Sequence, residues 1–222
     1  MIKYLFLILA SFSLFAETRQ KIVVIDTGVS FRQSLRPYMC KDGTYSTHGT
    51  WVDEHGHGTN VIGLIADKID SEKTCIVSIK LEMPKGKDPE GYILKAMEIT
   101  EKMKPVAVNI SMSGSVRFTS ELYSMMRLLA AGTKIVVAAG NDSMNLDKEG
   151  CPIYPACYLD DMKKRNKVIN TKNFIVVGTT DTNSSNVGSV ITVKEKGKDQ
   201  GYPKMTGTSQ ATANFTGKLF SK

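Results

Sequence analysis

The chain has 222 residues, which suits one domain with one substantial core better than two small ones. Its 41% hydrophobic and 23% charged content is that of an ordinary globular protein and excludes a low-complexity or disordered chain. The net charge of +7 is spread over lysine-rich stretches with no basic block interleaved with aromatics, so it reads as a solvated exterior. Attraction to anionic surfaces is the competing reading, and nucleic acid is not implied.

The chain opens on Met-Ile-Lys followed by YLFLILASFSLFA, a basic head and an apolar run too short to span a bilayer comfortably. This pattern predicts a signal peptide over residues 1–16, cleaved after Ala16, with a domain over 17–222 that is secreted or periplasmic. An uncleaved anchor is the alternative for the first segment; no other segment is suited to stable membrane insertion. Five β-branched runs follow, KIVVID (21–26), CIVSIK (75–80), VAVNIS (106–111), KIVVAA (134–139) and FIVVGT (174–179). Each is nearly continuous in apolar residues, as strands covered on both faces of a parallel sheet should be. Between them, Pro89 to Met103 sets Ile93, Leu94, Met97 and Met103 mostly on one helical face, and Ser120 to Ala131 does the same with Leu122, Met125, Leu128 and Leu129. Alternation of this kind predicts an α/β fold, one domain with a mostly parallel sheet flanked by helices. The stretch from 141 to 173 reads as a surface excursion.

Four cysteines in an exported chain predict two disulfides, for which three pairings exist. Cys151 and Cys157 bracket the tight CPIYPAC loop and are paired with each other, leaving Cys40 with Cys75. Metal ligation is the rival, but no Cys-x-x-Cys pair occurs and only His55 and His57 are neighbours among the histidines.

In open α/β sheets, sites form beyond the carboxyl ends of the strands. Asp26 directly follows KIVVI, Ser111 ends VAVNIS and Asn141 ends IVVAAGN, while His57 and Ser209 sit in Gly-rich loops that open into helices. A nucleophilic serine needs a base, the base an orienting carboxylate, and the developing oxyanion fixed donors. Ser209, His57, Asp26 and Asn141 fill those four roles. The start of a helix would bias His57 toward the neutral imidazole that a general base requires.

Singly, each motif is weak. In this order, the segments VVIDTGV (23–29), HGHGTNVIGLIA (55–66), VNISMSG (108–114), IVVAAGN (135–141) and MTGTSQATANFTG (205–217) resemble the subtilases, the subtilisin-like serine proteases, over about residues 21–217. The resemblance implies a subtilisin-like fold and endopeptidase activity on protein or peptide substrates. It makes Asp26, His57 and Ser209 the triad and Asn141 the oxyanion donor. It makes Ser111, Met112, Ser113 and Gly114 the edge that pairs with substrate backbone, and Ala138, Ala139 and Gly140 the other wall of the pocket. It also implies a cis bond before Pro155. Asn60 stands where relatives commonly have histidine, and is expected on a helix outside the triad. Ala213 stands in place of a proline, and Ser113 in place of a frequent glycine, which implies a narrower pocket for the residue before the cut bond. Relatives usually continue through further helices beyond the point that matches Gly217, so a partner that completes the C-terminus is admitted, and the short stretch after the leader leads to the expectation of no propeptide. No cofactor is expected; calcium is common in relatives, but spacing names no ligand set. Two other readings stay open: a silent peptide-binding protein on the same scaffold, and an aspartic protease, since hydrophobic-hydrophobic-Asp-Thr-Gly also marks that all-β class.

Overall fold

The computed structural model describes residues 18–165 and 170–221. The leader read over residues 1–16 lies outside them. Seven strands, β1 (Gln20–Asp26), β2 (Met39–Ser46), β3 (Thr74–Lys80), β4 (Ala107–Ile110), β5 (Lys134–Ala138), β6 (Phe174–Thr179) and β7 (Val193–Glu195), form one sheet in the order β2-β3-β1-β4-β5-β6-β7. Every strand pair is parallel. The five strands expected from the apolar runs are its centre. Five α-helices cover it, α1 (His57–Ala66), α2 (Pro89–Met103), α3 (Thr119–Ala130), α4 (Tyr158–Arg165) and α5 (Thr208–Leu219). This parallel α/β sheet removes the all-β scaffold that the aspartic-protease reading requires.

Strand alternation sorts β1 between two cores. Ile22 and Val24 pack with Val61, Ile62 and Ile65 of α1 and Ala213 of α5. Val23 and Ile25 pack on the opposite face with Ala96 and Met97 of α2 and Leu122, Met125 and Leu129 of α3. Helix α2 begins as its sequence dictates: Asp88 accepts the Glu90 N–H at 3.1 Å, and Pro89 occupies the first turn, where its missing N–H costs nothing. Helices α1 and α5 pack against each other on one face. The candidate base and the candidate nucleophile therefore stand at the starts of two helices that pack together.

The excursion from 141 to 173 is only partly a surface feature. Tyr158, Leu159 and Met162 of α4 are buried in the α2/α3 core, and Leu146, Ile153, Cys157 and Val190 form a small core of their own. Its apolar residues are too scattered to show a helical or strand period. The disulfides are Cys40–Cys75, which ties edge strand β2 to β3, and Cys151–Cys157. The Tyr154–Pro155 bond is cis, and so is Tyr202–Pro203.

Candidate active site

Asp26 is the last residue of β1 and is 1% exposed. His57 is the first residue of α1, and its Nδ1 lies 2.7 Å from Asp26 Oδ1. The same oxygen accepts the Thr27 N–H at 2.7 Å, while Oδ2 is buried without a partner among the described residues. Two glycines permit this approach. A side chain at Gly58 would collide with the Gly28 carbonyl, and Gly28 itself has φ +103°, a conformation that favours glycine.

The expected bias of the helix start toward neutral imidazole is opposed at His57. Burial does pull the imidazole pKa down, but the hydrogen bond and charge of Asp26, with a further contribution from Asp53, outweigh it. The net shift is upward from 6.5.

Asp53 escaped sequence reading and organises this corner. It is 5% exposed and accepts five hydrogen bonds. Oδ1 takes Thr27 Oγ1–H and the N–H groups of His55 and Gly56; Oδ2 takes Thr59 N–H and Oγ1–H. Thr27 Oγ1 in turn accepts the Gly58 N–H at 2.8 Å, which joins the end of β1 to the start of α1. Burial pushes the Asp53 carboxyl pKa up, but the bonds from Thr59, Gly56 and Thr27 outweigh it and hold it below 3.8. The available signal was an aspartate just ahead of a Gly-containing turn into a helix, where Asp habitually binds nearby backbone N–H groups. Asp53→Ala should cost about 3 kcal/mol of stability, since it strands several buried donors, as denaturant unfolding would measure. A loss below about 1 kcal/mol would show that the network is not holding α1. Because the folded-state pKa is depressed, this stabilisation is present above the ordinary carboxylate range and is lost as pH falls through the lowered value.

Ser209 is the second residue of α5, where backbone N–H groups have no intrahelical acceptor. It is 8% exposed, and its Oγ donates to the Ser111 carbonyl at 2.8 Å; Ser111 Oγ donates back to the Ser209 carbonyl at 3.1 Å. The structure thus joins Asp26 to His57 but rests the Ser209 hydroxyl on Ser111, with no hydrogen bond to His57. Asn141 lies beyond β5 and is exposed, and its Oδ1 accepts Thr208 N–H at 2.9 Å and Thr208 Oγ1–H at 3.1 Å. Those bonds orient the amide and leave Nδ2 without a protein acceptor among the described residues.

Ser111 is buried at the end of β4, Met112 is half-buried, and Ser113 and Gly114 are exposed. Met112, Ser113 and Gly114 border a cavity of about 230 Å³ whose other walls include Ile93, Tyr154 and Pro155. Ala138, which ends β5, and Ala139 and Gly140, which follow it, are buried and do not border it. Asn60 sits in α1, as expected, and its amide donates to the carbonyls of Gln200 and Pro203 and accepts from Gln210 Nε2. Among the described residues no group of three or more His, Cys, Asp or Glu side chains is placed to hold a metal ion, and both oxygens of Asp53 are already filled by protein donors.

Comparison with known proteins agrees with the fold. The subtilase family model matches residues 17–219. The subtilase-type proteinase psp3 of Schizosaccharomyces pombe is 27% identical, covering 87% of this chain and 44% of its own length. The cuticle-degrading serine protease of Orbilia oligospora is 29% identical, covering 69% of this chain and 38% of its own. Among solved structures, a cold-adapted subtilisin-like serine proteinase superposes with a TM-score of 0.68 at 20% identity, over 89% of this chain and 72% of that one. A lanthipeptide protease superposes with a TM-score of 0.67, also at 20% identity, over 89% and 71%. The chain spans half or less of the length of the curated relatives it matches.

Proposed function

The chain belongs to the subtilase family, and from that premise we propose that it is a serine endopeptidase with Ser209 as nucleophile, His57 as general base, Asp26 as its orienting carboxylate and Asn141 as an oxyanion donor. The observation that carries this reading is the 2.7 Å contact between His57 Nδ1 and a buried carboxylate, with Ser209 on the helix packed beside it. With Asp26 on Nδ1–H, the lone pair of His57 is directed to Nε2, the atom that takes a proton from Ser209 Oγ. Ser209 turns from Ser111 toward His57 and attacks the peptide carbonyl. His57 returns the proton to the leaving amine, and water repeats the cycle on the acyl-enzyme. The Asn141 amide and the Ser209 N–H hold the tetrahedral oxyanion, in a site where fixed donors cost no reorganisation.

Ser111 to Gly114 would pair with substrate backbone, which supports protein or peptide as the substrate class. Two disulfides support an oxidising compartment, hence export. The mechanism uses no metal or cofactor step.

Fluorophosphonate labelling of the leader-free protein, with Ser209→Ala and His57→Ala alongside, tests the reading. Labelling of the wild type alone is the expected result. A folded wild type that stays unlabelled would transfer the assignment to a peptide-binding protein, the reading that the Ser209–Ser111 bond favours. Asn141→Leu should lower kcat about 10²- to 10³-fold with little change in KM, the magnitude known for subtilisin, a member of the family. A KM effect alone would remove Asn141 from the oxyanion hole.

A further inference from the structure

The cavity beside Met112 has apolar walls and one acidic group. Ile93, Met112, Val116, Phe118 and Tyr154 line it, and so does Glu121. Val116 and Met83 at its border are 57% and 43% exposed, so apolar surface is open to solvent at this place. Glu121 belongs to α3 and is 9% exposed. Its Oε2 accepts the Tyr158 hydroxyl at 2.8 Å, and Oε1 has no hydrogen-bond donor among the described residues. Among the described residues no cation pairs with it. The nearby Arg117 is committed to Asp161 at 2.8 Å, and Glu90, on α2, accepts the Ser120 hydroxyl. Burial raises the Glu121 pKa to about 7, with the Tyr158 bond opposing that rise.

A buried carboxyl that lacks a cation and borders an open apolar cavity is poised to receive one. A lysine or arginine side chain fits it in both parts, the methylene stem along the apolar walls and the charged head at the carboxylate. The cavity also lies beside the proposed chemistry, because Met112 directly follows Ser111, whose carbonyl holds the Ser209 hydroxyl.

We propose that Glu121 is a specificity-determining residue and that this cavity takes a basic side chain of the peptide substrate. The proposal rests on the endopeptidase reading for its substrate class. A bound ammonium or guanidinium would ionise Glu121 and replace water at the cavity mouth. Tyr158, Tyr154, Arg117, Asp161 and Glu90 are the other titratable groups around it; the one cation among them, Arg117, pairs with Asp161 rather than Glu121 and leaves its buried Nη2 without a hydrogen-bond partner among the described residues.

The test reads binding and turnover separately. Peptides carrying lysine at each position in turn, with norleucine counterparts, are titrated by calorimetry into full-length Ser209→Ala protein, and their kcat/KM is measured on the wild type. At pH 8, lysine at one position should favour both quantities by roughly tenfold or more, the scale of one newly formed charge-assisted contact. Glu121→Gln keeps an acceptor for the Tyr158 hydroxyl and should erase the preference without loss of the neutral peptide. Lowering the pH to 5.5, where Glu121 is protonated, should shrink it. Norleucine matching lysine at every position, or no peptide binding, overturns the proposal and leaves Glu121 as a brace between α3 and α4. Lysine selectivity in binding without wild-type turnover would sink the hydrolase reading alone; turnover without selectivity would sink this one alone.

Discussion

Ser209→Ala is expected to lower peptide turnover about 10⁶-fold, the loss known for removal of the nucleophile from subtilisin. The loss should be chemical rather than a collapse of the fold. Ser209 Oγ makes one hydrogen bond, to the Ser111 carbonyl, worth about 1 kcal/mol. Helix α5 keeps its other anchors, the Thr208 bonds to Asn141 and the bond from Thr216 Oγ1 to buried Asn109. Unfolding by denaturant should therefore show a near-unchanged midpoint while the rate falls to what the oxyanion donors alone sustain. A loss below tenfold would place the nucleophile elsewhere. One step precedes chemistry: Oγ must leave Ser111 and turn to His57, a rotation about a single bond between staggered wells. Substrate backbone pairing along Ser111 to Gly114 would occupy that edge and favour the turned position.

Asp26→Asn should cost about 10⁴-fold in kcat, since the amide presents the wrong partner to Nδ1 and misplaces the imidazole tautomer. Its pH profile separates this role from a structural one. In the wild type, general-base catalysis requires neutral His57, whose pKa is raised above 6.5. The rate should therefore climb with pH through an ionisation above the ordinary imidazole value, and kcat/KM reports it for the free enzyme. Removing the carboxylate takes away the largest upward influence while burial, which acts downward, stays; Asp53 remains only as a more distant charge. The residual activity should show its acid limb shifted to lower pH. An unshifted limb would mean that Asp26 does not govern His57. The same linkage reaches stability. A histidine pKa raised by folding stabilises the protein fully below about 6.5, and that contribution disappears as pH rises through the folded value.

Much of this was local enough to read from the chain. The apolar runs of β1, β3, β4, β5 and β6 are continuous because both faces of the sheet are covered, and composition alone records that. Helix α2 runs from Pro89 to Met103 as expected, because its cap and its period lie within the segment itself. Asp26, His57, Ser209 and Asn141 stood out because each sits at a strand end or at a helix start. The Cys151–Cys157 pairing followed from a sequence separation of 6, which left Cys40 for Cys75.

Other features had no local signature. Edge strand β2 reads MCKDGTYS, and it pairs with β3 through a register shift between Met39 and Thr44 that brings Gly43 against the Cys40 carbonyl. Strand β7 has three residues and pairs with β6 alone. Helix α4 is polar along much of its length, and its buried Tyr158 and Met162 find partners only once α3 is in place.

The sequence by itself determined the five central strands, helices α2 and α3, the order of the chemical groups and hence the family, because those depend on periodicity and on residues close along the chain. Tertiary structure alone decided what each group touches. Ser209 and Ser111 are 98 residues apart, and their mutual hydrogen bonds arise from packing α5 beneath the end of β4. Asp53 became an organiser only when β1 delivered Thr27 to it. Glu121 reads as one more charge on an amphipathic helix until Tyr158 and the walls of a cavity surround it. Burial and partner choice belong to the folded chain as a whole, so a carboxylate's environment, and with it its chemistry, exists only after every layer has closed.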